Sequence, residues 1–305
     1  MTELSLTRRT AFVSAAAAGF AAWLRPHTPA LASEGADRAA LAAFAKLEQR
    51  AGGRLGVVLI QGERIVGNRP LERFALCSTF KLPLAALALR EVARGRIEPT
   101  EKLAFGEADL LGWAPVSRAR VQEGALSVQE AAEASQVHSD NTAANLLLKR
   151  LGGMAAYNAF LREIGDQTTR LDGMEPAVGY VAPDGIGNTT TPEAMARTVL
   201  ALAQGAALPP DPRATLLAWM RATTTGPRRL KAGIPSAWGL AHKTGTQAGA
   251  EPPNLSADVG VAFPPGRPLL AIAAYYEAPV SAEQIRPEDE AVLAEVGRIA
   301  AGWAA

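Results

Sequence analysis

The chain has very few of the residues that build disulfides and zinc sites: one cysteine, Cys77, and three histidines among 305 residues. A single cysteine cannot form an intrachain disulfide. The histidines His27, His138 and His242 lie far apart and lack the short spacings of zinc ligands, which argues against a zinc site. Cys77 has no histidine near it in the sequence, so we interpret it as a small packing residue rather than as a nucleophile.

The chain also lacks an excess of charge, because 31 Lys and Arg residues against 30 Asp and Glu residues leave a net charge of +1. A nucleic-acid footprint appears as a clustered basic excess, so no nucleic-acid partner is expected. Beyond the N-terminal region no apolar run approaches the length of a membrane span. The apolar fraction of 48% is enough for a sizeable core.

The N-terminus has the pattern of an export signal over residues 1–32. Arg8-Arg9 precedes an alanine-rich apolar stretch from Ala11 to Trp23, and the small-residue site Ala30-Leu31-Ala32 follows. A charged region, an apolar region and such a site form a signal peptide. The alternative, a membrane anchor, is disfavoured because the stretch is short. We predict an exported, periplasmic protein with no stable membrane association after signal removal. Both the general and the twin-arginine routes stay open.

The order of helical and extended patterns predicts two domains. Helix and strand patterns come first, a helical block follows, and strands and a helix close the chain. We predict an α/β domain from residues 33–73 and 224–305, with an all-α domain of residues 74–223 inserted into it. The α/β elements expected are a helix over Asp37–Ala51, strands over Leu55–Ile60, Arg64–Gly67, Trp238–Thr246, Ala257–Phe263 and Leu269–Tyr276, and a helix over Pro287–Trp303.

Capping patterns mark helices in the central block. Ser127-Val128-Gln129-Glu130 is a capping box, and Thr191 followed by Pro192 is a typical helix start. Further helices are predicted over Asn141–Leu151, Met154–Ile164 and Pro212–Thr223. The Gly- and Pro-rich stretch between Arg170 and Thr190 is longer than an ordinary connection, and loops of that length are usually functional or disordered.

Ser78 and Lys81 are a candidate nucleophile and base. A serine hydroxyl needs a neighbouring base to attack at neutral pH, and residues three apart share a helix face. The apolar run from Leu82 to Leu89 predicts a buried helix, which would desolvate Lys81 and favour its neutral amine. The alternative is a chance pair, since helix ends commonly carry both residue types.

Three further stretches occur in a characteristic order after Ser78-Thr79-Phe80-Lys81: Ser139-Asp140-Asn141, Glu175-Pro176 in the long loop, and Lys243-Thr244-Gly245-Thr246. Each is common alone, but together they resemble the motifs of class A serine β-lactamases. The resemblance covers about residues 37–303. It implies an antiparallel five-stranded sheet flanked by the N- and C-terminal helices, with the inserted all-α domain and a site between the two parts.

The resemblance implies a role for each motif residue in β-lactam hydrolysis and hence antibiotic resistance. Ser78 resembles the acylated nucleophile, Lys81 its base or proton relay, and Ser139 the donor of a proton to the lactam nitrogen. Asn141 resembles the residue that binds the substrate amide. Glu175 resembles the base that activates water to release the acyl group.

The remaining implied positions bind substrate or support the site. Lys243, Thr244, Gly245 and Thr246 resemble the segment that receives the substrate carboxylate, and the backbone N–H groups of Ser78 and Thr246 resemble an oxyanion hole. Further counterparts are Trp113 as an aromatic wall, Asn145 as a buried amide behind the long loop, and Arg229 as the arginine that backs the carboxylate pocket. No metal or organic cofactor is implied, and we expect a monomer acting on small-molecule β-lactams.

The long loop departs from the family pattern. Gly179 stands where many members have an asparagine that helps to hold the deacylating water. Gly173 and Asn188 occupy the two ends of a usual arginine–aspartate pair, although Arg170 and Asp172 can still pair. We hypothesise a looser loop and slow deacylation for some substrates. Gln247 stands where some members carry a cysteine that bridges to the counterpart of Cys77.

Two other functions share parts of this pattern. A penicillin-binding D-Ala-D-Ala peptidase shares Ser-x-x-Lys and Lys-Thr-Gly, but Glu175 in its Glu-Pro loop favours a β-lactamase. A β-lactam receptor would be acylated and stay acylated. Fold and motifs alone do not distinguish these functions.

Overall fold

The computed structural model describes residues 29–249 and 254–305. The export signal predicted over residues 1–32 lies outside the described residues except for its last positions, which belong to a helix that begins at Pro29. No helix in the described ranges is long and apolar enough to cross a membrane.

A five-stranded sheet in the order β2-β1-β9-β8-β7 confirms the predicted antiparallel architecture. Its strands are β1 (Arg54–Gln61), β2 (Arg64–Asn68), β7 (Leu240–Gln247), β8 (Leu255–Ala262) and β9 (Leu270–Glu277). The prediction that β7 starts at Trp238 is wrong. Ser236–Trp238 forms a 3₁₀ turn, and Gly239, with φ of 68°, reverses the chain before the strand begins.

Helices α1 (Pro29–Ala51) and α10 (Pro287–Ala304) cover one face of the sheet. Apolar side chains from both helices and from that face, among them Phe44, Val57 and Leu293, form one buried cluster. α10 begins at Pro287, as predicted, and Pro is favoured at the first position of a helix because its missing N–H has no partner there anyway.

The central block covers the other face of the sheet. Its helices are α2 (Lys81–Ala93), α3 (Pro115–Ala119), α4 (Val128–Val137), α5 (Asn141–Arg150), α6 (Gly153–Glu163), α7 (Pro192–Gln204) and α8 (Pro210–Arg221), and the short α9 (Leu230–Gly233) follows. The block also holds two two-stranded sheets, β3 (Phe74–Ala75) with β6 (Thr189–Thr190) and β4 (Lys102–Ala104) with β5 (Ala125–Ser127). It is therefore not purely helical, and the domain boundaries stay a prediction.

Helix α2 lies at the centre of this block and packs against α4, α5, α6, α7 and α8. Residues Lys81–Ala88 are all buried, because the segment is apolar on every side and finds neighbours on every side. The predicted caps are present: Ser127 Oγ accepts a hydrogen bond from the Glu130 backbone N–H, and Thr191 Oγ1 accepts one from that of Ala194. The start of α2 thus has a fixed place between the sheet and the helices.

Candidate active site

Ser78 lies in the 3₁₀ turn Cys77–Phe80, directly before α2. Its Oγ accepts a hydrogen bond from Lys81 Nζ at 2.8 Å and donates one to Glu175 Oε1 at 3.2 Å. Cys77 before it is buried, has φ of 43°, and burial raises the pKa of its thiol. The hydroxyl of Ser78 is therefore in contact with two groups that can take its proton, while the Cys77 thiol is held in its unreactive form.

Lys81 is completely buried, and four polar groups surround its amine. Nζ donates to Ser78 Oγ, to the Ser139 carbonyl at 3.0 Å and to Asn141 Oδ1, and it forms an ion pair with Glu175 Oε1 at 2.8 Å. Burial lowers the pKa of Lys81, while the Glu175 carboxylate opposes that shift. A proton can therefore pass between Lys81, Ser78 and Glu175 without crossing bulk water.

Ser139 links the two lysines of the motif set. It has φ of 58°, and its carbonyl accepts from Lys81 while its Oγ accepts from Lys243 Nζ at 2.9 Å. Asp140 fixes this turn, since its carboxylate accepts hydrogen bonds from the backbone of Ala143 and Ser117. The Ser139 hydroxyl is thus held beside the amine of Lys243.

Lys243 is also completely buried, but its partners are uncharged. Nζ donates to Ser139 Oγ and to the Thr244 carbonyl, both at 2.9 Å. Burial, with the charge of Lys81 adding to it, holds the pKa of Lys243 well below its usual value. An anionic ligand beside Lys243 would favour the protonated amine.

Arg229 reaches the same end of the cleft, beneath Thr246. Its guanidinium donates to Thr246 Oγ1 at 2.9 Å, to the Gly245 carbonyl at 2.8 Å and to Glu290 Oε1 at 3.2 Å. The segment also requires glycine at 245, because a Cβ there would lie 3.0 Å from Thr79 Cγ2. The Lys243–Thr246 segment is therefore packed against the nucleophile turn on one side and Arg229 on the other.

The loop that carries Glu175 is fastened by two asparagines. Asn145 bonds the backbone N–H and carbonyl of Glu175, both at 3.0 Å. The prediction that Asn145 is buried is wrong: it is half-buried, because it bridges α5 to a surface loop. Asn188 Oδ1 accepts from the N–H groups of Asp172 and Gly173, both at 2.9 Å. Asn188 therefore joins the two loop ends by hydrogen bonds instead of an ion pair.

The expected pairing of Arg170 with Asp172 is present at 2.6 Å, and Arg170 also lies 3.2 Å from Asp184. All three side chains are substantially exposed, so these ion pairs add little stability. The loop ends are tied chiefly by Asn188. These hydrogen bonds argue against the looser loop that we hypothesised from the sequence. Slow deacylation stays a hypothesis.

One cleft of about 620 Å³ is lined by residues of all four motifs, namely Ser78, Ser139, Asn141, Glu175, Thr244 and Thr246. Trp113 stands at its mouth with 57% of its surface exposed, and its indole N–H donates to the His138 carbonyl at 2.9 Å. The sequence reading missed Thr224, Thr225 and Gly226, which line the cleft opposite Ser78. Thr225 Oγ1 lies 2.5 Å from Thr244 Oγ1. No local motif marks this segment, because only the fold brings it beside Thr244.

Neither His138 nor His242 lines the cleft. His242 is a buried residue of β7. Its Nδ1 lies 2.8 Å from Asp258 Oδ1, while its Nε2 has no partner among the described residues. His138 is half-buried and contacts Thr224 through Nδ1 at 3.3 Å. Within residues 29–249 and 254–305, no three His, Cys, Asp or Glu side chains come together as a metal site.

Comparison with known proteins gives consistent matches over most of the chain. The model of the β-lactamase enzyme family matches residues 39–304. Beta-lactamase AST-1 of Nocardia asteroides is 39% identical over 258 residues, which are 84% of this chain and 81% of that protein. Among solved structures, a β-lactamase from Burkholderia vietnamiensis has a TM-score of 0.81 at 39% identity, covering 87% of this chain and 96% of that one. An ancestral class A β-lactamase of Gram-negative bacteria has a TM-score of 0.78 at 42% identity, with coverage of 85% and 98%.

Proposed function

Because the chain belongs to the β-lactamase enzyme family and resembles its class A members, we propose that it hydrolyses the amide of β-lactam antibiotics through an acyl-enzyme on Ser78, which water activated by Glu175 then releases. Such hydrolysis would confer resistance to penicillin- or cephalosporin-type compounds. One observation carries the proposal: Ser78 Oγ lies within hydrogen-bond distance of both Lys81 Nζ and Glu175 Oε1.

Acylation uses the contacts of Ser78. Its proton passes to the Lys81–Glu175 pair as Oγ bonds to the lactam carbonyl carbon. The C–N bond then breaks, and the nitrogen takes a proton from Ser139 Oγ, which Lys243 holds in place. The proton that the Lys81–Glu175 pair took from Ser78 is passed on to Ser139 Oγ, so that the pair is again able to act as a base. The developing oxyanion is stabilised by the backbone N–H groups of Ser78 and Thr246. Asn141, bonded to Lys81 on one side of the cleft, is positioned to bind the substrate amide.

Deacylation needs a base that lies near the ester on Ser78 once acylation is complete. Glu175 meets this need because its carboxylate contacts Ser78 and its backbone is bonded to Asn145. A water between Glu175 and the acyl carbon loses a proton to the carboxylate as it attacks. This second step distinguishes a hydrolase from a receptor that stays acylated.

The Lys243 end of the cleft supplies the anchor for the substrate carboxylate. Lys243 has only uncharged partners, and Thr244, Thr246 and Arg229 add hydroxyl and guanidinium donors nearby. A carboxylate favours such a set of donors because charge-assisted hydrogen bonds are stronger than neutral ones.

We further propose that the protein acts after export to the periplasm, as a monomer. The support is the signal-like pattern of residues 1–32, with Arg8-Arg9 ahead of an apolar stretch. Fractionation of cells expressing the full chain tests export. A protein retained in the cytoplasm with an intact N-terminus would contradict the proposal.

The test of the catalytic proposal is hydrolysis of a chromogenic cephalosporin by the wild type and by Glu175→Ala, followed through many turnovers. We expect steady turnover by the wild type and a burst of one equivalent by the variant, with the acyl group on Ser78 detected by intact mass. Glu133→Ala, on an exposed position of α4, is the matched control and should turn over like the wild type. A single burst from the wild type would instead indicate a receptor or a penicillin-binding protein.

A further inference from the structure

Gly179 and Gln247 face each other across the cleft. A Cβ placed on Gly179 would lie 2.2 Å from Gln247 Oε1 and 3.2 Å from its Cδ, closer than side chains approach one another. The carboxamide of Gln247, at the end of β7, therefore occupies the space that a side chain at position 179 would need. Gly179 makes room for it.

The carboxamide of Gln247 has little else to bond. Its Nε2 donates only to the carbonyl of the next residue, Ala248, at a long 3.4 Å. Its Oε1 accepts no hydrogen bond from any residue in the described ranges. The side chain is half-buried, so this oxygen is available to a ligand or to water inside the cleft.

This oxygen lies on the Glu175 side of the cleft. Gly179 follows Glu175-Pro176 by one 3₁₀ turn, in which the Gly179 N–H donates to the Pro176 carbonyl at 3.3 Å. Ser78, Glu175, Pro176, Gly179 and Gln247 all line the same cleft. The Gln247 carboxamide thus faces the part of the cleft in which the ester on Ser78 would be hydrolysed.

A water molecule attacks in a defined direction only when both of its hydrogens have acceptors. Glu175 accepts one of them and removes it during the attack. Two other oxygens of the cleft wall already accept a hydrogen bond, Asn141 Oδ1 from Lys81 and Ser139 Oγ from Lys243, which leaves each with less capacity for a water. Acylation also turns Ser78 Oγ into an ester oxygen, which is a poor acceptor. Gln247 Oε1, by contrast, accepts no hydrogen bond from the residues that the structure describes, and Gln247 lines the same cleft as Glu175.

We infer that Gln247 is a positioning residue for deacylation, which accepts the second hydrogen of the hydrolytic water from the place that Gly179 leaves open. The inference rests on the proposed function. In the step, the water oxygen bonds to the acyl carbon, one water proton passes to Glu175, and the C–Oγ bond to Ser78 breaks. The proton then returns to Ser78 Oγ, and the product leaves as a free acid.

The experiment measures formation and breakdown of the acyl-enzyme by stopped-flow absorbance and intact mass in the wild type and in Gln247→Met. Methionine keeps the length of the side chain and removes the carboxamide. We expect deacylation to slow by roughly tenfold, the value of one oriented hydrogen bond. Acylation should be unchanged, so kcat and KM fall together and kcat/KM stays constant. Gln204→Met, exposed at the end of α7, is the matched control.

A second pair of variants distinguishes the loss of the carboxamide from a change in side-chain packing. Gln247→Gly removes the side chain, and adding Gly179→Asn places a carboxamide on the opposite wall of the same space. The double variant should recover most of the deacylation rate lost in Gln247→Gly alone. A gain confined to this background supports the inference, because Gly179→Asn with Gln247 present would have to displace the Gln247 carboxamide from its position.

The outcomes distinguish the inference from the proposed function. If the wild type turns over and Gln247→Met deacylates equally fast, the inference is wrong and the proposed function stands. The same holds if kcat/KM falls with kcat unchanged, or if the double variant recovers nothing. If the wild type itself stops after one equivalent, both fail.

Discussion

Lys81 and Lys243 are both completely buried, and burial lowers the pKa of both, yet their surroundings differ in charge. Lys81 lies 2.8 Å from the Glu175 carboxylate. Among the residues that the structure describes, the Lys243 amine bonds the Ser139 hydroxyl and the Thr244 carbonyl, neither of which is charged. Ser139 contacts both amines through different atoms, so the two lysines belong to one cleft with two unlike ends.

This difference in charge indicates a different role for the Lys81 end and the Lys243 end of the cleft. At Lys81 the opposite charge is supplied by the protein itself, so a proton can move within the pair without a change in net charge. At Lys243 the described residues place no carboxylate in hydrogen-bond contact with the amine. The protonated amine is therefore stabilised most when an anionic ligand binds beside it. In the proposed mechanism, burial of the same residue type would therefore favour proton transfer at Lys81 and anion binding at Lys243.

The largest expected effect comes from replacing each lysine by methionine. Lys81→Met removes the proton relay, and we expect kcat/KM to fall by roughly 10³-fold. Lys243→Met removes a charged donor to the substrate carboxylate, and we expect a loss of about tenfold to a hundredfold, mainly in KM. Steady-state kinetics measures both, with the exposed Lys149→Met as control. Equal losses of kcat in the two variants would remove the distinction.

The same two variants should change stability in opposite directions. Lys81→Met leaves the Glu175 carboxylate, whose side chain is 7% exposed, without its partner, and should lower the free energy of unfolding by about 3 kcal/mol. Lys243→Met removes a buried amine that hydrogen-bonds no carboxylate among the described residues and should raise it by about 1 kcal/mol. Urea unfolding measures both values. A loss of stability in Lys243→Met as large as in Lys81→Met would contradict the comparison.

The lowered pKa of Lys243 predicts a pH dependence of substrate binding. Only the protonated amine attracts a carboxylate, so KM should rise once the pH passes the lowered pKa, by up to about tenfold per pH unit. Stability should rise with pH between that pKa and 10.5, because the unfolded chain binds more protons there. Lys243→Arg keeps its charge and should lose the rise in KM. A KM profile unchanged by this substitution would assign the titration to another group.

The smallest effect is expected from the loop. Asn188 has φ of 58°, which glycine adopts without strain, so Asn188→Gly removes the side-chain hydrogen bonds and leaves the backbone in place. Deacylation should slow by about threefold to tenfold, because the loop supports Glu175. Binding at Lys243 should be unaffected, since that end rests on β7. Single-turnover kinetics separates the two, and a change in carboxylate affinity would show that the loop serves both ends.

Much of the fold could be predicted from local pattern. The capping box at Ser127, the start of α7 at Thr191-Pro192 and the buried run after Lys81 each depend on neighbours within a few residues, and all three are present. The start of β7 was predicted wrongly at Trp238. An aromatic residue by itself favours a strand, but Trp238 ends a 3₁₀ turn and Gly239 has a positive φ, so the strand begins only after them. The small strands β3 and β6 pair residues more than a hundred positions apart, which no local pattern reveals.

The sequence by itself determined which chemical groups meet at the centre of the candidate site, because Ser78 and Lys81 are three residues apart and therefore lie on one turn. It also determined, by resemblance, the places of Ser139, Glu175 and Lys243 in that site. Only the tertiary structure decided which side chains contact one another. It places Glu175 against Lys81, Arg229 beneath Thr246, and Gln247 in the space beside Gly179. These contacts join residues far apart in the chain, and the burial that lowers the pKa values of Lys81 and Lys243 exists only once the sheet and the helices have packed around them.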